Sequence, residues 1–289
     1  MHMNELMPFR TISIIGMAKN VGKTTTLNYL IKYFHSQKIN LALTSIGRDG
    51  ESKDVVTKTE KPQIFVFSGT VIATAENLLH LCDITKEIFA TTNINTPFGK
   101  VVLVRALSDG YVQLGGPSIT TQIADLIKNI STDKILVDGA VSRKTLANPN
   151  ITEATILCTG ASFSRSMEKT IDETRHIVEI FMLPKATKDG IYLEGAVSDT
   201  MLNNIIMTNK KLEGTYIIAE DASKMLIKPS TYEKIKIKKA ILAVKNPIQL
   251  VGMTINPTAP HHAGYHPKVF LAKMQEAVDI PVYDLKNLR

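Results

Sequence analysis

Residues 14–25 read Ile-Ile-Gly-Met-Ala-Lys-Asn-Val-Gly-Lys-Thr-Thr. Two glycines, a lysine and two threonines in that order can do phosphate chemistry. Successive backbone N–H groups of a glycine-containing loop converge on one concavity, and the helix that follows adds the positive end of its dipole. A lysine directly after the second glycine can reach the β- and γ-phosphates of a nucleoside triphosphate, and the next hydroxyl is placed to ligate Mg²⁺. Gly16, Lys19, Asn20, Val21, Gly22, Lys23, Thr24 and Thr25 are therefore the expected nucleotide-binding residues, with Lys23 as the cation at the reacting phosphate and Thr24 on the metal. A chance glycine turn is disfavoured because an apolar strand, the loop, Gly-Lys-Thr and an amphipathic helix occur in sequence.

A phosphate site of this kind also needs a carboxylate for the metal. Lys134-Ile135-Leu136-Val137-Asp138-Gly139-Ala140 is an apolar strand ending in an acid and a glycine. In a parallel sheet that acid sits at the carboxyl edge beside the loop, and Asp138 is the expected metal-binding and catalytic carboxylate. The stretch Leu107–Ser118, with three glycines and a proline, reads either as a lining of the substrate or partner side of the same edge or as an ordinary loop.

The elements that must position these residues are legible as apolar runs. Ile12–Ile15, Leu41–Thr44, Ile64–Phe67, Val101–Val104, Ile135–Val137 and Ala154–Leu157 are short, rich in Val and Ile, and lack polar alternation, as buried parallel strands do. Leu27, Leu30, Ile31 and Phe34 form a helical stripe, and further helices are expected over Ile119–Ile130 and Ser166–Phe181. The first 180 or so residues thus predict a doubly wound, mostly parallel α/β sheet. The polar stretch from Pro184 to Gly190 is the candidate linker, dividing a nucleotide-binding domain over 3–184 from a smaller α/β unit over 190–289. Whether the second unit folds by itself or extends the first sheet is left open. Lys234, Lys236 and Lys238 alternate with Ile235 and Ile237, which reads as one solvated face of a strand.

Five residues separate Gly16 from Gly22, and Met17 stands where the strict four-residue spacing would require glycine. This pattern resembles the Gly-Thr-x-x-x-x-Gly-Lys-[Ser/Thr] loops of the dethiobiotin synthetase and cobyrinic or cobyric acid synthase group of P-loop proteins. That group belongs with the dimerising P-loop NTPases that include MinD-like ATPases and metallochaperone GTPases. The resemblance implies a P-loop NTPase fold, an acid-glycine pair at Asp138-Gly139, and a metal-binding or water-orienting acid at Asp49, with Asp54 behind it and Arg48 near phosphate. It also implies base contacts at Cys158–Ala161, where the Asn-Lys-x-Asp pattern of GTPases is absent and ATP is favoured over GTP. Lys19 lies one residue out of register with the lysine that MinD-like ATPases insert into a partner subunit, so that role is not carried over. Gly195–Ile227 resembles the small domain that follows such a P-loop domain in some phosphotransacetylases.

Composition excludes several classes. The two cysteines, Cys82 and Cys158, are far apart and fit neither a disulfide framework nor a zinc spacing, so a reducing cytoplasm is expected. No apolar run reaches the length of a membrane span. The net charge of +7 comes from 34 basic and 27 acidic residues spread along the chain, without a basic stripe interleaved with aromatics, which disfavours nucleic acid. His261, His262 and His266 put three imidazoles within six residues, but Gly264 and Pro267 interrupt any helical pairing, so an ordinary loop is expected there.

The loop "GMAKNVGKTT" and the strand "VDGA" are similar to accessory ATPases of cobalamin-dependent amino-acid mutases, which exchange damaged cofactor. That resemblance implies ATP and Mg²⁺ as cofactors, a homodimer and a protein client. The alternative is a dethiobiotin-synthetase-like enzyme that phosphorylates a small carboxylate. Such an enzyme should carry lysine-proline directly after the second strand, where this chain has Ser45-Ile46-Gly47-Arg48. A nucleotide-binding regulatory protein with negligible turnover is the third class.

Overall fold

Runs of Val, Ile and Leu that lack polar alternation must be covered on both faces, and helices supply that cover here. The computed structural model describes residues 3–46, 63–140, 147–209 and 211–288. The chain runs through β1 (Thr11–Gly16), α1 (Lys23–Ser36), β2 (Leu41–Ser45), β3 (Ile64–Val66), β4 (Val71–Ala75), β5 (Lys86–Thr96), β6 (Gly99–Ala106), β7 (Gly110–Val112), α2 (Thr120–Asn129), β8 (Lys134–Ala140), β9 (Ala154–Gly160) and α3 (Met167–Phe181). It continues through β10 (Gly190–Leu193), β11 (Val197–Ser198), α4 (Asp199–Thr208), β12 (Tyr216–Asp221), β13 (Met225–Leu226), α5 (Pro229–Ile237), β14 (Ile241–Asn246), β15 (Leu250–Asn256), α6 (Pro267–Ala277) and β16 (Val282–Asp284).

A nine-stranded sheet in the order β16-β15-β9-β1-β8-β2-β4-β6-β5 forms the centre. It is parallel from β16 to β4, while β6 and β5 are antiparallel at one edge. Alternate residues divide between two cores. Ile14, Leu43, Leu136 and Ile156 pack with Leu27, Leu30, Ile31 and Phe34 of α1 on one face. Ile15, Ala42, Val137 and Leu157 pack on the other with Ile123 of α2, Phe181 of α3 and Phe270 of α6. The chain passes from β8 to β9 across β1, which makes the carboxyl end of β1 the topological switch point of the sheet, where α/β proteins place ligands.

Three expectations about strands are corrected. Ile64–Val66 is extended but pairs antiparallel with β7 in a separate two-stranded sheet, and Val101–Val104 lies in an antiparallel strand rather than a parallel one. The lysine-isoleucine alternation at 234–238 is helix, not strand. Pro229 occupies the first turn of α5, where its missing N–H costs nothing. Ile235 is buried and Ile237 is 77% exposed, which one face of a strand cannot produce.

The carboxyl-terminal residues both make a new sheet and extend the first. β10, β12 and β14 form a three-stranded parallel sheet whose Leu193, Ile217, Leu242 and Val244 share a core with α3. β15 and β16 return to the nine-stranded sheet beside β9. The linker stretch is tied down, with Ala186 N–H donating to the Val244 carbonyl (2.8 Å) and Val244 N–H to that of Pro184 (3.0 Å). Ser166 and Ser198 cap α3 and α4 by accepting from Lys169 N (3.1 Å) and Met201 N (3.3 Å), contacts worth about 1 kcal/mol each.

At the amino edge of the large sheet, Lys134 opens β8 with its side chain buried. Its Nζ donates to the carbonyls of Met7 (2.5 Å) and Phe9 (2.6 Å), with that of Leu6 at 3.4 Å. Burial draws the ammonium below the usual lysine range, against the pull of Glu153 and Asp133.

Candidate functional site

β1 delivers Gly16 to the switch point, and the loop that follows is anchored at once by Met17 N–H donating to the Cys158 carbonyl (2.8 Å). Val21 is buried in the α1-side core, so its side chain anchors the loop and only its backbone is left for a ligand. Lys19 and Asn20 are exposed. Asn20 and Gly22 adopt left-handed conformations, at φ 61° and 89°. Glycine suits position 22 because that angle is costly for a residue with a side chain; an added Cβ would also stand 1.9 Å from Leu285 Cδ1, so that side chain would have to shift. α1 then starts at Lys23. Its first helical bond, Thr26 N–H to the Gly22 carbonyl, is 3.0 Å. The N–H groups of Lys23, Thr24 and Thr25 are left without helical acceptors, as at any helix start. Gly22, having no side chain, offers them no cap of its own.

The structure brings Lys23 and Asp138 together. Lys23 Nζ is 2.5 Å from Asp138 Oδ1, and each side chain is about a quarter exposed, at 24% and 21%. Asp138 is placed by register, opposite Ile14 of β1 and Ser45 of β2. Thr24 and Thr25 lie half-buried in the first turn of α1. The loop after β7 comes to the same edge. Gly116 N–H donates to Ser45 Oγ (3.1 Å), the Gly115 carbonyl accepts from Ala75 N–H (2.8 Å), and a Cβ on Gly116 would stand 1.8 Å from the Ser45 carbonyl oxygen. Arg48, Asp49 and Asp54 lie outside the described residues.

β9 ends in Cys158-Thr159-Gly160, and these residues and the following Ala161 are all buried. Burial raises the Cys158 thiol above its ordinary range, with hydrogen bonds to Thr254 and Thr26 opposing. Loops after β9 and β15 form a tied rim: His262 Nε2 is 2.9 Å from the Ala161 carbonyl, and Tyr265 Oη is 2.5 Å from that of Ser164. His266 immediately precedes α6. Among the described residues no group of three His, Cys, Asp or Glu side chains is arranged to hold a metal.

The donors gathered around residues 16–25 fit a phosphate with a hard cation. Backbone N–H groups and an ammonium suit phosphate oxygens. One hydroxyl and one carboxylate are what Mg²⁺ commonly takes from protein, with phosphate and water completing its shell. Asn256, Ser162 and Leu285 touch the loop and carry no motif that would have marked them in the sequence.

No protein-family model matches the chain, and no curated protein matches it in sequence.

Proposed function

We propose that the chain is a P-loop NTPase that binds ATP with Mg²⁺ at Gly16–Thr25 and hydrolyses it in the service of another protein. The observation that carries this reading is Lys23 Nζ lying 2.5 Å from Asp138 Oδ1 at the mouth of a left-handed loop, on the switch-point edge of a parallel sheet. An ammonium held by a partly exposed carboxylate can exchange it for a phosphate oxygen. Asp138 and Thr24 would then be the residues to hold Mg²⁺, which would neutralise charge on the phosphates. The loop N–H groups and the start of α1 hold the remaining oxygens. The resemblance of this loop and strand to accessory ATPases of cobalamin-dependent amino-acid mutases supports a reactivating role, a homodimer and a mutase as the client class.

Lys23 and Lys19 are the cations on residues 16–25. NTPases without a built-in arginine finger turn over slowly until a partner completes the site. Isolated protein should therefore release phosphate slowly, and a cobalamin-dependent mutase should accelerate it. Phosphate release measured with the chain alone, with candidate mutases and with small carboxylic acids decides the matter. Rapid turnover by a monomer on a small acid alone would overturn the partner-driven reading.

A further inference from the structure

Asn20 carries a side chain in a left-handed conformation, and such residues persist where their surroundings hold them. The holding groups come from the other end of the chain. The Asn20 carbonyl accepts from Asn256 Nδ2 (2.9 Å) and from Ser162 Oγ (3.3 Å). Asn256 is the last residue of β15, and its Oδ1 accepts from Thr258 N (3.1 Å) and Thr258 Oγ1 (2.7 Å), which turns the amide nitrogen toward Asn20. The approach is possible because Gly160 on the neighbouring strand has no Cβ; one built there would stand 2.3 Å from the Asn256 carbonyl oxygen. Leu285, directly after β16, closes on Gly22, where an added Cβ would meet Leu285 Cδ1 at 1.9 Å and Asn256 Cβ at 3.3 Å. Neither Asn256 nor Leu285 supplies a charge to a phosphate. Asn256 touches both Asn20 and Gly22, and Leu285 touches Gly22, the two residues whose left-handed angles give the loop its shape.

We propose that Asn256 and Leu285 are positioning residues that clamp the phosphate loop in its binding conformation, so that nucleoside triphosphate affinity is set from the carboxyl-terminal strands. The inference rests on reading residues 16–25 as a phosphate site. A loop that spends only a fraction of its time with Asn20 and Gly22 left-handed binds with a dissociation constant raised by the reciprocal of that fraction. Once nucleotide is bound, the loop is in place whether clamped or not. Loss of the clamp should therefore raise Kd and KM and leave kcat at saturation unchanged.

The test compares L285A, N256A, L285M and K23A with the wild-type full chain by Mg-ATP calorimetry and steady-state phosphate release, at a temperature where circular dichroism shows each folded. L285A and N256A should each weaken ATP by about tenfold, the loss expected when the competent fraction falls to about one in ten. L285M, which keeps a flexible apolar plug, should bind like wild type, and kcat should hold in all three. If L285A does not fold, N256A carries the test. Wild-type affinity in the clamp variants alongside a loss in K23A would overturn the clamp and leave the phosphate site standing. Unchanged affinity in K23A as well would overturn both.

Discussion

Strand β8 begins and ends beside a lysine, and the two are satisfied in opposite ways. At the amino edge of the sheet, Lys134 is 5% exposed and its ammonium is surrounded by the backbone carbonyls of Leu6, Met7 and Phe9. At the carboxyl edge, Lys23 is about a quarter exposed and is held by the Asp138 carboxylate. Carbonyls that belong to a folded backbone cannot leave, so the first lysine is a fastener. A carboxylate in an open crevice can be displaced by another anion, so the second can change partners. Burial and the nature of the acceptor, rather than residue type, separate a structural lysine from one fit for ligand exchange.

This contrast can be broken at either end of the strand. The largest effect is expected at the carboxyl end, where Asp138→Asn should keep the fold but lower Mg-dependent phosphate release by about a hundredfold, the scale seen when one group stabilising developing charge is removed. Phosphate release titrated with Mg²⁺ measures it, and an unchanged rate and metal dependence would remove Asp138 from the metal site. Lys23→Ala should weaken ATP by about 1.5–3 kcal/mol, the range for a hydrogen bond to a charged group, read by calorimetry, with the melting temperature near that of wild type. Lys134→Met should do the reverse. It leaves the carbonyls of Met7 and Phe9 without their donor, at a cost of about 2 kcal/mol in stability by urea unfolding, while ATP affinity is kept.

The smallest effect concerns pH. Burial lowers the Lys134 ammonium below 10.5 in the folded chain, so the unfolded chain binds more protons in the interval just below that value. Stability contributed at this position should then rise with pH through that interval. Urea unfolding of wild type and Lys134→Met at a series of pH values up to 10.5 isolates the term, because the methionine variant does not titrate there. A difference that shrinks as pH rises would contradict the assignment.

Much of this architecture is legible in the amino-acid order alone. The loop over residues 16–25, the strand bearing Asp138 and the helices α1 to α3 declare themselves through glycine spacing and apolar periodicity, with a serine cap added at α3. β5 does not, because its Lys-Glu-Ile-Phe-Ala-Thr-Thr-Asn-Ile-Asn-Thr has no sustained apolar run and its pairing with β6 is broken at two irregularities. The 234–238 segment misleads because lysine and isoleucine alternate with a strand's period, while its Pro229 start and one-sided burial obey a helix. The contributions of Asn256 and Leu285 to the site are hidden for another reason. An asparagine at a strand end and a leucine near the carboxyl terminus carry no chemistry of their own, and only the return of β15 and β16 to the first sheet brings them to the loop.

That return has a consequence for how the protein is made. The loop leaves the ribosome well before the amide that touches the Asn20 carbonyl, which lies 236 positions later. Contacts of such separation are slow to close and are absent from any partly synthesised chain. A nascent chain therefore carries residues 16–25 through the making of a further 236 residues before Asn256 exists, and the shape of that loop arrives only when β15 and β16 dock.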